Sequence, residues 1–303
     1  AFGCCHEVFK TQILLAQIAE YYGLIPQGSL DNGEVKRQDV KTQVLGINHF
    51  TWIDKAELFG TDLMPYYKKF VDEHPEGWQP VAWQDPKHPH NWQNDYFKCA
   101  EMVKFDLFKR FGIIAAAGDR HLAEFCPHSW YLSNPIEVKN WKFSLTPVPF
   151  RLKKQENKIK QSLEWANNPQ SFTPSPSGED GIDILKALAV KDSSTDIITN
   201  VNLPNTGQIK NIMANAIVET NAKISFDSIK AQTTQGIPHN LLPLILHHVA
   251  TQEAIVKGAL EKYYKIVKNA FCTDIALANL TLEEAEDLFE QMCLETTVTF
   301  DKA

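Results

Sequence analysis

Cys5 and His6 stand side by side just ahead of a stretch with helical spacing. There the positive end of the backbone dipole lowers a thiol pKa and favours the thiolate, the form that binds a metal or attacks. The same pair also reads as a buried structural cysteine beside a hydrogen-bonded histidine. No Cys-x-x-Cys or His-x-x-x-His partner lies nearby, so a second ligand would have to come from far along the chain. His49, between Asn48 and Phe50, is such a ligand or else a core histidine with both nitrogens satisfied. Asp119-Arg120-His121 packs an acid, a cation and a titratable ring into three residues after an apolar run, and Glu124 follows. Such a group at the end of an element suits acid–base work or carboxylate binding, and equally suits a salt-bridged helix start. Asn200, Asn202 and Asn205 around Pro204 offer amides to a polyhydroxylated ligand, or simply make Asx turns.

The elements that must position these groups follow from periodicity. Ile13, Leu14, Gln17, Ile18 and Tyr21 predict a helix over Glu7–Tyr22 that ends at Gly23. Val40 to Ile53, rich in β-branched and aromatic residues around Gly46-Ile47-Asn48-His49-Phe50, predicts strand and tight loop. Four prolines, three tryptophans and three histidines between His74 and Asn94 predict an irregular loop or lid. Helices are expected over Phe97–Phe111, Lys153–Trp165 and from Ser177 to about Ala189. A strand over Ile197–Val201 is expected to break at Asn202-Leu203-Pro204-Asn205-Thr206-Gly207, with another strand around Val218, Thr220 and Ala222. The last hundred residues read as helical, over Leu241–Lys268 and then behind a Thr281-x-x-Glu284 capping box. That threonine also completes the sequon Asn279-Leu280-Thr281, which a helix cap explains better than glycosylation.

The 303 residues carry 30 Lys and Arg against 37 Asp and Glu, a formal charge of −7, with the basic residues scattered. That pattern argues against nucleic acid as a partner. No run reaches the ~18 to 20 apolar residues of a membrane span and no leader is legible, so a cytoplasmic protein is expected. Six cysteines are too sparse for a disulfide scaffold, and free thiols are expected.

Four blocks taken together resemble glycoside hydrolase family four, and most closely its alpha-galacturonidase branch. They are Gly3-Cys4-Cys5-His6-Glu7-Val8-Phe9, Gly46-Ile47-Asn48-His49-Phe50-Thr51-Trp52, Gly118-Asp119-Arg120-His121-Leu122-Ala123-Glu124-Phe125 and Asn200-Val201-Asn202-Leu203-Pro204-Asn205. The resemblance implies an α+β fold, similar to the second domain of lactate and malate dehydrogenases and normally preceded by an NAD-binding Rossmann domain. Residues 1–303 are expected to form the substrate- and metal-binding domain alone, with the Rossmann half missing. The chemistry implied is hydrolysis of an alpha-glycosidic bond with NAD and Mn2+, by hydride removal at sugar C3, proton removal at C2, elimination at C1, and reversal after water adds.

Carried onto this sequence, the resemblance makes Cys5 and His49 metal ligands, His6 the general acid and Asp119 the candidate C2 base. Asn48 and Asn202 would touch sugar hydroxyls, and Arg120 or His121 would read the C6 carboxylate of a uronic acid. A small sugar or uronic-acid glycoside is the expected partner, and a homo-oligomer the expected assembly. An alpha-glucuronidase, an alpha-galactosidase or a non-catalytic carbohydrate- or metal-binding remnant are the alternatives. The family's glycine-rich phosphate turn and its Asn-Pro segment have no counterpart here. Gly23-x-x-x-x-Gly28 follows a helix, whereas the cradle needs a strand before it and a helix after.

Overall fold

The computed structural model of the chain describes residue 3, residues 7–175 and residues 178–296. Its first helix, α1 (Glu7–Tyr21), buries Val8, Leu14, Leu15 and Ile18 along one stripe. It stops where Gly23 takes a φ of 69°, which lets Gly23 N–H reach the Glu20 carbonyl and Leu24 N–H the Ala19 carbonyl. Two antiparallel strands follow, β1 (Val40–Ile47) and β2 (Phe50–Leu58), edged by the short β3 (Thr61–Asp62) and then by helix α2 (Met64–Glu73). Helix α3 (Met102–Phe111) leads to β4 (Ile114–Ala115), which pairs with β2, and directly on to α4 (Asp119–Glu124).

The hairpin of β1 and β2 is buried on both faces. Leu45, Ile47, Phe50 and Trp52 face one apolar cluster, and Val44, Ile53, Ala56 and Leu58 face another. Strict alternation would send Ala56 and Leu58 to the first cluster. They reach the second because the register slips: Val44 sits opposite Ile53 and Gln43 opposite Lys55, so Asp54 is an extra residue in β2 and side-chain parity inverts past it.

Short helices α5 (His128–Tyr131) and α6 (Pro135–Asn140) are followed by the long α7 (Val148–Asn167) and by α8 (Gly181–Ala189). A second antiparallel sheet is formed by β5 (Ile197–Pro204), β6 (Ile217–Ser225) and β7 (Ser228–Ala231), with α8 packed on it. Val44 N–H donates to Asn221 Oδ1 at 2.7 Å, a buried side-chain bridge from β1 to β6. Helices α9 (Leu242–Leu260), α10 (Tyr264–Cys272) and α11 (Leu282–Glu295) complete an α+β fold, as the resemblance implied.

Several expected boundaries change: the helix expected from Phe97 begins at Met102, after Glu101 takes a left-handed φ of 58°, and the one expected from Ser177 begins at Gly181. The strand at Ile197 does not break at Asn202: Asn202 pairs with Glu219 and Pro204 with Ile217, and proline is tolerated there because it ends the ladder. The helix expected over Leu241–Lys268 is two helices, because Lys262 adopts a left-handed φ of 53° between α9 and α10. Elsewhere the Trp- and Pro-rich stretch is irregular apart from one 3-10 turn at Val81–Trp83, and Thr281 caps α11 with Glu284 in a complete capping box. Cys99, Cys126 and Cys272 are free thiols.

Gly46 is the tightest point of the hairpin. Its φ is 142°, and a Cβ there would lie 2.6 Å from the Phe50 carbonyl oxygen. Gly46→Ala is expected to lower stability by about 2 to 3 kcal/mol through strain and clash. A urea midpoint unchanged from that of the unsubstituted chain would contradict this reading of the turn.

Candidate functional site

Asn48 and His49 form the two-residue turn of the hairpin, since Ile47 and Phe50 pair across it. His49 carries a left-handed φ of 65°, which costs a non-glycine residue of order 1 kcal/mol or more. Strain of this kind persists at the tip of the hairpin because the ladder behind it, buried from Val44 to Ile47 and from Phe50 to Ile53, over-determines the turn. The half-buried imidazole stacks obliquely against His121, with ring centroids 4.9 Å apart.

His121 arrives from α4, which β4 delivers beside β2. Its Nδ1 lies 3.2 Å from Glu124 Oε2 and its Nε2 3.7 Å from Glu7 Oε1, at the first residue of α1. Glu7 is 4% exposed and sits within 3.5 Å of Lys10 Nζ. Residue Gly3 is tied to the same neighbourhood: its N–H donates to the Asn202 carbonyl at 3.2 Å, and the Asn202 N–H donates back at 2.8 Å. Cys5 and His6, the expected metal ligand and general acid, lie outside the described residues.

Asn202 Nδ2 donates to Asn48 Oδ1 at 3.3 Å and to Glu219 Oε2 at 3.4 Å, and Asn200 Nδ2 makes a short hydrogen bond to Glu219 Oε1. The structure therefore brings Asn48, His49, His121 and Asn202 together from three separate elements. Asn205 does not join them. It is buried in its own turn, donating to the carbonyls of Ile209 and Ile212 at 2.9 Å each.

Glu219 is not marked by the Val218, Thr220 and Ala222 pattern that predicts its strand. A charged residue flanked by Val218 and Thr220 was the available signal. It is 1% exposed, and burial pushes its carboxyl up to about 7, with the negative charge of Glu7 adding to the rise and the two asparagine amides opposing it.

Asp119 belongs to a different cluster. Fully buried at the start of α4, its Oδ1 accepts the Lys104 N–H at 3.0 Å. Lys104 Nζ in turn holds Glu101 at 2.7 Å and Thr11 Oγ1 at 2.8 Å. Burial, reinforced by the charge of Glu101, raises Asp119 to about 8, well above the usual carboxylate range. Cys99 completes the cluster, its ligand atom and those of Glu101 and Asp119 all within 4.8 Å of one another. The Lys104 ammonium is the cation these acids already hold.

Arg120 turns away from His121 toward the irregular loop. Its Nη1 donates to Thr146 Oγ1 at 2.7 Å and to the Tyr96 carbonyl at 3.1 Å, and the guanidinium lies 5.2 Å from the Phe97 ring centre. Trp78, Trp83 and Phe97 of that loop face Lys10 and Gln17 of α1 across a recess that reaches Gly118 and Cys99. An aromatic wall set against polar groups suits a sugar ring, which has apolar faces and a hydroxylated rim.

A divalent cation fits the first cluster by the chemistry of its donors. His49 offers an imidazole there and the carboxylates of Glu7 and Glu124 beside His121 add negative charge, whereas the described group whose ligand atoms lie close enough to share an ion, Cys99, Glu101 and Asp119, already holds Lys104. A dinucleotide does not fit in the same way, because Gly23 is a helix cap rather than a turn between strand and helix. Among the described residues no helix is long and apolar enough to cross a membrane.

Residues 44–276 match the family model described as the family 4 glycosyl hydrolase C-terminal domain. A relative named alpha-galacturonidase, from Thermoanaerobacter italicus, is 44% identical over 96% of this chain and 60% of its own length. A Bacillus subtilis crystal structure described as a glucosidase, lplD, is 36% identical with a TM-score of 0.84, over 96% of this chain and 62% of the other. A 6-phospho-alpha-glucosidase from gut microorganisms, solved with NAD and Mn2+, shares the fold at a TM-score of 0.69 and 16% identity, over 99% of this chain and 62% of the other. The chain thus spans about 60% of the length of the relatives it matches.

The raised carboxyl of Glu219 has a consequence for stability. Because its folded pKa lies above its unfolded value, its stabilising contribution is complete below about 4.5 and is lost as pH rises through about 7. Glu219→Gln cannot ionise, so its stability relative to the parent chain is expected to improve by about 3 kcal/mol between pH 4 and pH 8. Parallel melting curves for the two proteins across that range would contradict the buried-carboxylate assignment.

Proposed function

Because the chain belongs to the family 4 glycosyl hydrolases, we propose that it supplies the substrate side of an alpha-galacturonidase, which hydrolyses the alpha-glycosidic bond of a galacturonide with NAD and Mn2+ as cofactors. The observation that carries this reading is the convergence of Asn48 and His49, His121 and Asn202 on one acid-lined cluster, from three segments far apart in the chain. The 44% identity to a relative named for that activity supports the sugar acid as substrate.

Cys5 and His49 would hold the metal, which when bound supplies Lewis-acid stabilisation of negative charge on sugar oxygens. The described residues offer NAD no cradle, and no step through it is derived from them. Asn48 and Asn202 would bind sugar hydroxyls. His6, next to the metal cysteine, is the proposed general acid for the departing group.

Asp119 remains the proposed base for the C2 proton. A carboxyl raised to about 8 is a far stronger base once ionised than an ordinary carboxylate, as removal of a carbon-bound proton requires. For the C6 carboxylate, Arg120 is the better placed reader. Its two hydrogen bonds both run from Nη1, leaving the Nε and Nη2 edge to grip a carboxylate in bidentate fashion. His121, flanked by Glu7 and Glu124, sits among negative charges that would oppose a third.

The direct test is hydrolysis of an alpha-galacturonide by protein containing this chain, with NAD and Mn2+ present, in deuterated water. Release of galacturonate carrying deuterium at C2 is expected; hydrolysis without it would exclude proton removal at that carbon.

Arg120→Lys keeps the charge but loses the bidentate edge. It should raise KM for the galacturonide about ten- to a hundredfold while changing KM for an uncharged galactoside little. Equal effects on both substrates would remove Arg120 from carboxylate recognition.

A further inference from the structure

Glu219 stands directly opposite Asn202 in the β5–β6 ladder, and its carboxylate is an acceptor with no proton to give when ionised. The Asn202 amide nitrogen donates to that carboxylate and to Asn48 Oδ1. Both its N–H groups are therefore taken, while Oδ1 is buried without a hydrogen-bond partner. An asparagine amide can turn over and exchange its oxygen and nitrogen. Facing Glu219 it cannot, because the turned amide would set oxygen against oxygen. The Asn200 amide is oriented by the other oxygen of the same carboxylate.

We propose that Glu219 is a positioning residue, which fixes the Asn202 amide so that its oxygen is presented to the site as an acceptor for a sugar hydroxyl. The proposal rests on the sugar-binding reading given above. A purely structural role explains the residue less well. The backbone ladder already joins β5 to β6 over eight residue pairs, and a buried carboxylate whose pKa is raised by burial weakens the fold where a neutral residue would not. What a glutamate provides, and a glutamine does not, is two oxygens that both demand donors.

Glu219→Gln separates the two roles because they move stability and binding in different directions. Calorimetric titration of the chain with D-galacturonate in the presence of Mn2+ at pH 8 is expected to show affinity falling about tenfold, the worth of one misdirected hydrogen bond. The melting temperature at that pH should stay equal to or above that of the parent chain. Unchanged affinity would overturn the proposal, and so would a matching loss of stability and affinity.

A second measurement needs no ligand. In protein labelled with 15N at asparagine, the Asn202 side-chain NH2 pair, identified by its absence in Asn202→Asp, should shift in Glu219→Gln; an unmoved pair overturns the positioning role. If the parent chain binds no galacturonate while this pair does shift, the sugar reading fails and the positioning of Asn202 stands.

Discussion

The hairpin of β1 and β2 is the constraint on which the site depends. Each of its faces packs on an apolar cluster of its own, so a slip of one residue would turn every side chain to the opposite face and set it against a cluster it does not fit. Phe50 and Trp52 alone hold the register with roughly 1.5 to 3 kcal/mol of burial each. The extra residue at Asp54 lets each face keep its own apolar partners along the full length of β2. With the register fixed, the turn has one position and His49 one backbone conformation. The other site segments are attached to the same frame. β4 pairs with β2 and carries α4, while Asn221 reaches across to the Val44 N–H and fastens the second sheet to β1. His121 and Asn202 therefore meet His49 through rigid elements rather than loops, as a precise constellation requires.

Two buried carboxyl groups flank this frame and are handled differently. Asp119 shares its surroundings with Glu101 and Lys104, where an internal ammonium offsets part of the negative charge. Glu219 has amides rather than a cation as partners, so its charge is stabilised by hydrogen bonds alone. In both cases desolvation is the largest influence and holds the carboxyl protonated at higher pH than usual. Groups of this kind are costly to bury, and they concentrate where a protein needs chemistry rather than stability.

Much of this was legible in the sequence, and the reasons for the rest are physical. The helix at Glu7, its glycine cap, the strand-and-turn at Gly46–Phe50 and the capping box at Thr281 all follow from local rules, which depend on neighbours in the chain. The break expected at Asn202 did not occur because cross-strand pairing outweighed the turn propensity of asparagine and proline, and that pairing is not a local property. The asparagine trio divided for the same reason: Asn205 satisfies its own turn, while Asn200 and Asn202 answer to Glu219 on another strand. Glu219 itself was hidden because a single acid in an apolar strand carries no periodicity. Its importance appears only with the register.

The separation of Arg120 from His121 carries a consequence for substrate orientation under the proposed reading. Consecutive residues at the start of α4 project to different places, His121 into a cluster of carboxylates and Arg120 to the loop at Tyr96 and Phe97. A uronic acid is itself polarised, with a carboxylate at C6 and hydroxyls at C2 and C3 on the opposite side of the ring. The acid-rich cluster repels the first and, with a bound cation, attracts the second, while the guanidinium edge of Arg120 does the reverse. A net charge of −7 is thus compatible with an anionic substrate, because the sign that matters is set locally at the two ends of the ring. Two neighbouring residues on one short helix would then fix which way round the sugar lies.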